Sequence, residues 1–143
     1  MRDKMNDVQP VCLFAPLAAQ NNSDTARTSE IIDLLGYDGC TFVLINGTNT
    51  DTNATFAVTV AESDDSGMSG GTAVGAGDLV GTLALAGFTF ADDKECRKLG
   101  YKGTKRYVQV TVTPTGNNSG DWFMAGVALL ARAAQAPAAN PPQ

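Results

Sequence analysis

Two segments of the chain alternate apolar and polar residues with a period of two. In 56–61 every second residue is Phe or Val, and in 107–113 every second residue from Val108 onward is Val, with Gln and Thr between them. This period places alternate side chains on opposite faces of a β-strand, so each segment predicts a strand that buries one face. Val and Thr also favour strands, which makes 107–113 the clearest strand in the sequence.

Other apolar runs are short and lie between turn-forming residues. The run 40–45 follows two glycines, and Asn, Thr and Asp fill most of 46–53 after it. The segment 122–131 is apolar throughout, so periodicity does not separate a buried strand from a helix, but Gly126 and the neighbouring strands favour a strand. About seven to nine short strands without an amphipathic helix predict an all-β fold, an antiparallel β-sandwich of the jelly-roll-like kind.

The two ends of the chain differ from this middle region. Residues 1–20 contain Pro10 and Pro16 and show no periodicity, and residues 133–143 are rich in Ala and Pro and carry no charged side chain. Proline interrupts the hydrogen bonding of a sheet, and a segment without apolar periodicity buries little surface of its own. We therefore expect an extended N-terminal arm at 1–20 that contains at most one short edge strand, a β-sandwich domain at 21–132 and an extended C-terminal tail at 133–143.

Composition narrows the range of functions. The chain has 143 residues, of which 43% are hydrophobic and 17% are charged, and this is typical of one globular domain. A formal net charge of −5 removes the attraction that dominates non-specific nucleic-acid binding, so no nucleic-acid partner is expected. No apolar run reaches the ~18 to 20 residues that cross a membrane as a helix, so no membrane partner is expected either.

Candidate chemistry is sparse. The chain contains no His, which removes imidazole bases and His metal ligands. The cysteines Cys12, Cys40 and Cys96 lack the spacing of metal ligands, and the acidic pairs at 64–65 and 92–93 are typical of solvated turns. We therefore predict no catalytic residue, no metal site and no cofactor, and a protein that binds or assembles rather than an enzyme.

Two segments of the chain resemble a known family. They are 87–93 (GFTFADD) and 97–114 (RKLGYKGTKRYVQVTVTP). Residues 1–3 and 29–33 also fit the same family. In these segments the chain resembles small proteins encoded beside the major capsid protein in tailed phages, and among those with a known role it is similar to capsid cement, or decoration, proteins of short-tailed phages. The resemblance implies a jelly-roll-like β-sandwich that sits as a homo-oligomer on the outer surface of an HK97-like shell and cements neighbouring capsomers.

The resemblance also implies partners and contacts. The partner is the major capsid protein, the location is the outer surface of the virion, and the chain is made in the cytoplasm of a bacterial host. Since an isologous dimer matches a two-fold joint of a shell most simply, we expect a homodimer in preference to a trimer. Capsid contacts are expected in the two chain ends, at Arg2, Lys4, Pro10, Val11, Leu13, Phe14, Pro16, Pro137, Pro141 and Pro142. The oligomer interface is expected at Trp122 and Phe123, with a position in the core as the alternative for both.

Two further functions stay open as alternatives. A head completion or tail-joining subunit shares the β-rich fold and the virion location but occurs in only a few copies, so copy number separates it from a cement protein. A carbohydrate-binding β-sandwich also lacks catalytic residues, but such modules usually present several exposed aromatic side chains, and this chain has only one Trp and three Tyr.

Overall fold

The computed structural model describes residues 4–16, 20–21 and 23–134. Within these residues the regular secondary structure is almost entirely β-strand, with one short helix at Leu83–Ala86 and a 3-10 turn at Ala76–Asp78. The strands in chain order are β1 (Val8–Phe14), β2 (Gln20–Asn21), β3 (Arg27–Thr28), β4 (Ile32–Asp33), β5 (Tyr37–Asn49), β6 (Thr55–Ser63), β7 (Thr72–Ala73), β8 (Leu79–Val80), β9 (Phe88–Thr89), β10 (Cys96–Tyr101), β11 (Tyr107–Thr115) and β12 (Asp121–Ala133).

The strands form two antiparallel sheets. Sheet A has the order β1, β12, β5, β10, β8, with β2 paired to β12, and sheet B has the order β3, β11, β6, β7, with β4 paired to β11 and β9 to β6. The short strands β3 and β4 lie along one edge of β11, and β7 and β9 lie along one edge of β6. We count each of these pairs as one strand and leave out the two-residue strands β2 and β8, so that eight main strands remain. Their order is first, eighth, third, sixth in sheet A and second, seventh, fourth, fifth in sheet B. This is the strand order of a jelly roll, so the predicted antiparallel, jelly-roll-like β-sandwich is confirmed.

Alternation along the strands decides which residues face the core. Val58 of β6 lies opposite Val112 of β11, and both are buried. The next pair, Thr59 and Thr111, points to the outer side of sheet B. A shift of one residue would exchange the two faces, so the hydrophobic pattern specifies this register.

The core between the sheets is centred on large side chains from both of them. Trp122 of β12 stacks on Phe56 of β6, with the ring centroids 4.7 Å apart and the ring planes at 27°. Phe42, Leu44 and Leu130 of sheet A are also almost fully buried. The inner faces of the two sheets meet in these contacts, so β12 and β6 hold the sandwich together.

Strand β1 lies within residues 1–20 and is the short edge strand that the sequence allows in the predicted N-terminal arm. β1 is the edge strand of sheet A, and it pairs with β12 from Val8 opposite Ala131 to Phe14 opposite Gly126. An edge strand tolerates Pro10, because only one side of the strand carries ladder hydrogen bonds. The apolar side chains at the end of β1 cover the core, and this burial outweighs the irregular pattern of residues 1–20. Residues 135–143 of the predicted tail lie outside the described residues.

Candidate binding surface

Strand β12 presents a row of apolar side chains on the outside of sheet A. Phe123 is 40% exposed there, and Ala125, Val127 and Leu129 follow it at alternate positions and are half-buried. The residues between them face the core. Because β12 is apolar on both faces, one set of side chains covers the core while the other set remains at the surface.

The neighbouring strands extend this apolar surface. Cys12 of β1 and Val43 of β5 lie on either side of Val127, and Ile45 of β5 lies beside Ala125. Residues opposite each other in an antiparallel pair share one face of the sheet, so these side chains form a continuous surface. We call it the apolar face, and it consists of Pro10, Cys12, Val43, Ile45, Phe123, Ala125, Val127 and Leu129.

The outer side of sheet B has the opposite character. Thr is the most frequent of its outward residues on β6 and β11, and the others are Ala57, Ala61, Tyr107 and Gln109. Across the edge of this sheet, the hydroxyls of Thr28 and Thr111 lie 3.2 Å apart in a hydrogen bond. A polar face of this kind is stable in water without cover. The sandwich therefore has one polar and one apolar outer face, and the apolar face is the candidate binding surface, because large exposed apolar patches mark interaction sites.

A shallow groove of about 280 Å³ lies at the β1 side of the apolar face. Pro10, Val11, Phe14 and Pro16 line one side of it, and Ile45 and part of β12 line the other. It lies beside a bulge near the end of β1, where the pairing with β12 shifts by one residue. The groove continues the apolar face up to the edge of sheet A.

A larger groove, of about 780 Å³, lies beside the short helix and is lined by Leu83 and Phe88 among others. Arg97 and Asp92 also line it, and their side chains form an ion pair with Nη2 and Oδ1 3.1 Å apart. The Arg97 guanidinium lies 5.5 Å from the centre of the Phe88 ring. These polar groups are engaged with one another, and Leu85, which also lines the groove, is 73% exposed.

The predicted capsid contacts are divided between the surface and the core. Lys4, Pro10 and Pro16 are exposed. Leu13 and Phe14 are buried, with 0% and 3% of their surface exposed, because they cover the inner side of sheet A. Buried side chains are not available to a partner, so the assignment of these two residues is corrected to core positions. Of the other predicted contacts, Val11 packs against the core, and Arg2, Pro137, Pro141 and Pro142 lie outside the described residues.

The two predicted interface residues point to opposite sides of sheet A. Trp122 is 1% exposed and lies in the core, which is the alternative that the sequence left open for it. Phe123 is 40% exposed and lies on the apolar face. Of the pair, only Phe123 is available to a second chain.

Arg27 of β3 ties the N-terminal strand to the rest of the sandwich. Its Nη1 donates a hydrogen bond to the carbonyl oxygen of Met124 at 2.9 Å, and its Nη2 donates to the carbonyl oxygen of Ala15. Its guanidinium lies 5.2 Å from the centre of the Phe14 ring. Burial lowers the pKa of this guanidinium below its usual value, although an arginine remains charged at neutral pH. The sequence carries no signal for these contacts, because Met124 lies 97 residues from Arg27 and Ala15 lies 12 residues from it, and no local pattern joins the three segments.

The remaining reactive groups do not gather at one place. In residues 4–16, 20–21 and 23–134, no group of three or more His, Cys, Asp or Glu residues could hold a metal ion, and no helix is long and apolar enough to cross a membrane. Cys12 and Cys96 are exposed and Cys40 is buried, and burial raises the pKa of the Cys40 thiol to about 12. A thiol with so high a pKa stays protonated at neutral pH and reacts slowly.

Comparisons with known proteins find similarity in structure alone. No model of a protein family and no curated protein sequence matches the chain. The xylan-binding module CBM15 has a TM-score of 0.39 and 13% identity, over 94% of this chain and 96% of that one. The CBM22-1–GH10 modules of the Clostridium thermocellum endo-1,4-beta-D-xylanase 10B have a TM-score of 0.43 and 14% identity, over 88% of this chain.

A family two carbohydrate esterase from Cellvibrio japonicus is also similar, with a TM-score of 0.36 and 10% identity over 88% of this chain. The present chain spans 25% of the xylanase chain and 34% of the esterase chain. At this level of similarity we transfer neither a substrate nor a partner from these proteins. The fold and the surface define an antiparallel jelly-roll sandwich with one apolar outer face.

Proposed function

We propose that this chain is a virion structural protein that binds the outer surface of an HK97-like capsid and cements neighbouring capsomers. The observation that carries the proposal is the apolar face of sheet A, because such a surface needs a protein partner to cover it. The resemblance of 87–93 and 97–114 to capsid cement proteins supports a phage capsid as the assembly to which the chain binds. The major capsid protein is then the partner, and the protein acts by binding and not as an enzyme.

The physical reason is the cost of leaving apolar surface in water. Removal of apolar surface from water is worth about 25 cal/mol per Å², so an uncovered face favours association. The polar outer side of sheet B gives no such drive, which leaves it free to face solvent. A chain with this asymmetry is suited to a layered assembly with one side toward protein and the other toward water.

Cementing then follows from mass action. A protein that binds only the expanded shell stabilises that state by an amount that grows with its free concentration. Several contacts engaged at once add avidity without any new kind of bond. The proposed contacts with the shell are the apolar face, Lys4 and Pro16, which are exposed beside β1, and the chain ends beyond the described residues.

The net charge of −5 agrees with an external position. A protein on the outer surface has no need to approach packaged DNA, whereas one that lines the interior would gain from basic residues. The proposed location is therefore the outer surface of the virion, after synthesis in the cytoplasm of the bacterial host.

The decisive experiment is the copy number of this chain in purified particles, relative to the major capsid protein, by quantitative mass spectrometry. We expect a ratio of the same order as that of the capsid protein. A few copies per particle would instead assign the chain to head completion or tail joining, and absence from particles would overturn the proposal.

A second measurement tests the mechanism directly. Purified chain added to expanded shells that lack it should bind and raise the temperature at which the shells open. Equal binding to unexpanded shells would contradict the mechanism, because a ligand stabilises only the state that it prefers. Binding of purified chain to xylan, with none to shells, would favour the carbohydrate-binding alternative.

A further inference from the structure

A groove of about 500 Å³ lies on the outer side of sheet A, at the end of the sheet where β12 terminates. Its floor has little side-chain bulk, because Gly39 of β5 and Gly100 of β10 carry no side chain and Ala131 of β12 carries only a methyl group. Ala131 lies opposite Gly39, and Gly100 lies opposite Thr41, so these outward positions adjoin one another. The exposed Val80 of β8 lines the groove at the edge of the sheet.

Three cationic side chains line this groove. They are Lys98 of β10, Lys102 directly after β10, and Arg132 near the end of β12. All three are exposed, and none of them forms an ion pair with another described residue. Asp38 is the one carboxylate among the lining residues, so positive charge is in excess here although the chain as a whole is acidic. We call this site the cationic groove.

Neighbouring basic side chains outside the cationic groove have counter-ions within the fold. Lys105 pairs with Asp64, and Arg106 pairs with Asp33 with Nη2 and Oδ2 2.7 Å apart. An ion pair of this kind cancels much of the field of each charge at short range. The fold therefore neutralises the basic residues beside the cationic groove and leaves those inside it available to a ligand.

Arg132 reaches the cationic groove through an unusual backbone conformation. In a regular strand its side chain would leave the outer side of the sheet, because the adjacent Ala131 faces that side. The φ of Arg132 is 55° instead, and its guanidinium lies over Gly39, where a Cβ would be 3.8 Å from Nη2. The left-handed region is unfavourable for any residue with a Cβ, and strain of this kind concentrates at functional sites.

We propose that the cationic groove binds an acidic segment of the partner protein. Carboxylates form short, charge-assisted hydrogen bonds with Lys and Arg, and the planar guanidinium of Arg132 can donate two parallel N–H groups to one carboxylate. This deepens the proposed function, on which the identity of the partner as the major capsid protein rests. The acidic character of the segment rests on the groove alone.

The surroundings of the groove favour a protein over a nucleic acid as the ligand. Leu129 of the apolar face lies opposite Thr41, which lines the groove, so one partner can cover both surfaces. Such a partner must offer apolar as well as acidic side chains, and a protein surface offers both. A nucleic acid binds in proportion to the phosphates that the protein neutralises, and three cations in a chain with a net charge of −5 neutralise few.

The first test uses a peptide in place of shells, so that it addresses the groove alone. The probe is the capped peptide Glu-Val-Glu-Val-Glu, added to the isotope-labelled full chain at low ionic strength, and Gln-Val-Gln-Val-Gln is the control. The backbone NMR signals of Gly39, Gly100 and Ala131 should shift with the Glu peptide only, and added salt should reduce the shifts. The proposal would be overturned by equal shifts with both peptides, by shifts confined to other strands, or by no shift at the highest soluble concentration.

The second test removes charge from the groove. Lys98→Gln with Lys102→Gln should raise the dissociation constant of the Glu peptide on the order of 10-fold, because each exposed ion pair contributes a few-fold. Lys94→Gln with Lys105→Gln is the matched control, since it changes the net charge equally and neither residue lines the groove. It should leave the dissociation constant almost unchanged. Equal effects of the two variants would show a general effect of charge and would overturn the site.

A third variant blocks the groove without a change of charge. A Cβ at Gly39 meets its nearest neighbours at ordinary contact distances, of 3.8 Å to Arg132 Nη2 and 4.0 Å to the Ala131 carbonyl oxygen. Val also favours a strand, so Gly39→Val should keep the fold, as circular dichroism will show. Its side chain fills part of the floor, so binding of the Glu peptide should be lost. Unchanged affinity in the folded variant would place the peptide elsewhere and contradict the proposal.

Binding to shells separates this inference from the proposed function. Lys98→Gln with Lys102→Gln should bind expanded shells more weakly than the unaltered chain, and high salt should remove the difference. Equal binding at low salt would overturn the groove as a shell contact and leave the cementing function in place. A chain that binds the Glu peptide but no shell would overturn the cementing function and support the groove. Tighter binding of a DNA oligonucleotide than of the peptide would overturn the assignment to a protein segment.

Discussion

Replacement of Trp122 by Ala tests whether the core of this sandwich is organised as the structure indicates. Trp122 is 1% exposed and stacks on Phe56 at 4.7 Å. Truncation of a buried Phe or Trp to Ala usually costs about 3–5 kcal/mol. The indole N–H of Trp122 finds no acceptor among the described residues, so the variant also removes a buried donor without a partner. The expected loss in the free energy of unfolding is therefore at the lower end, about 3 kcal/mol.

The assay is thermal and urea unfolding by circular dichroism, at a concentration low enough that association makes no contribution. A loss of about 3 kcal/mol lowers the Tm of a domain of this size by roughly 10 °C. Phe123→Ala is the matched control, because the adjacent side chain points outward and is 40% exposed. It should cost no more than about 1 kcal/mol in the isolated chain.

A conservative variant separates packing from hydrogen bonding. Trp122→Phe keeps an aromatic ring on Phe56 and removes the unpartnered N–H, so its free energy of unfolding should lie within about 1.5 kcal/mol of the unaltered chain. Trp122 is the only tryptophan, so its fluorescence reports its surroundings directly. A red-shifted emission that acrylamide quenches easily, or a Trp122→Ala variant as stable as Phe123→Ala, would refute this account of the core.

Two further predictions concern the loop that joins β11 to β12. The carboxylate of Asp51 accepts hydrogen bonds from the backbone N–H groups of Asn118 at 2.9 Å and Ser119 at 2.8 Å, and these bonds hold its pKa below the ordinary value of 3.8. The stability from Asp51 is therefore complete above that value and is lost as pH falls through the lowered pKa, so urea midpoints should drop less below pH ~4 in Asp51→Asn than in the unaltered chain. Equal acid sensitivity of the two proteins would argue against this role. Gly120→Ala should destabilise the fold by about 1–3 kcal/mol, because a Cβ there would lie 2.4 Å from the backbone nitrogen of Asp51, while Gly77→Ala, which meets nothing within 4 Å, should be neutral in the same unfolding assay. Similar effects of the two substitutions would contradict the close approach at Gly120.

The strands of this protein are predictable where a local pattern specifies them. The alternation in 56–61 and 107–113 predicts both the strands β6 and β11 and the side of each that is buried, because a period of two divides apolar from polar side chains. The segment 122–131 predicts a strand but not its faces, since both sets of side chains are apolar. The stacking of Trp122 on Phe56, a contact between two sheets, decides that Phe123 faces outward.

The candidate site depends far more on the tertiary structure. The sequence alone predicts an all-β chain, because a period of two in the apolar residues is a property of neighbouring residues. It does not determine that β1 pairs with β12 and so becomes the edge strand of sheet A. The apolar face joins residues from the start, middle and end of the chain, and only the pairing of β1, β12 and β5 brings them onto one surface. The burial of the whole core decides which distant strands pair, and a local sequence pattern does not specify this pairing.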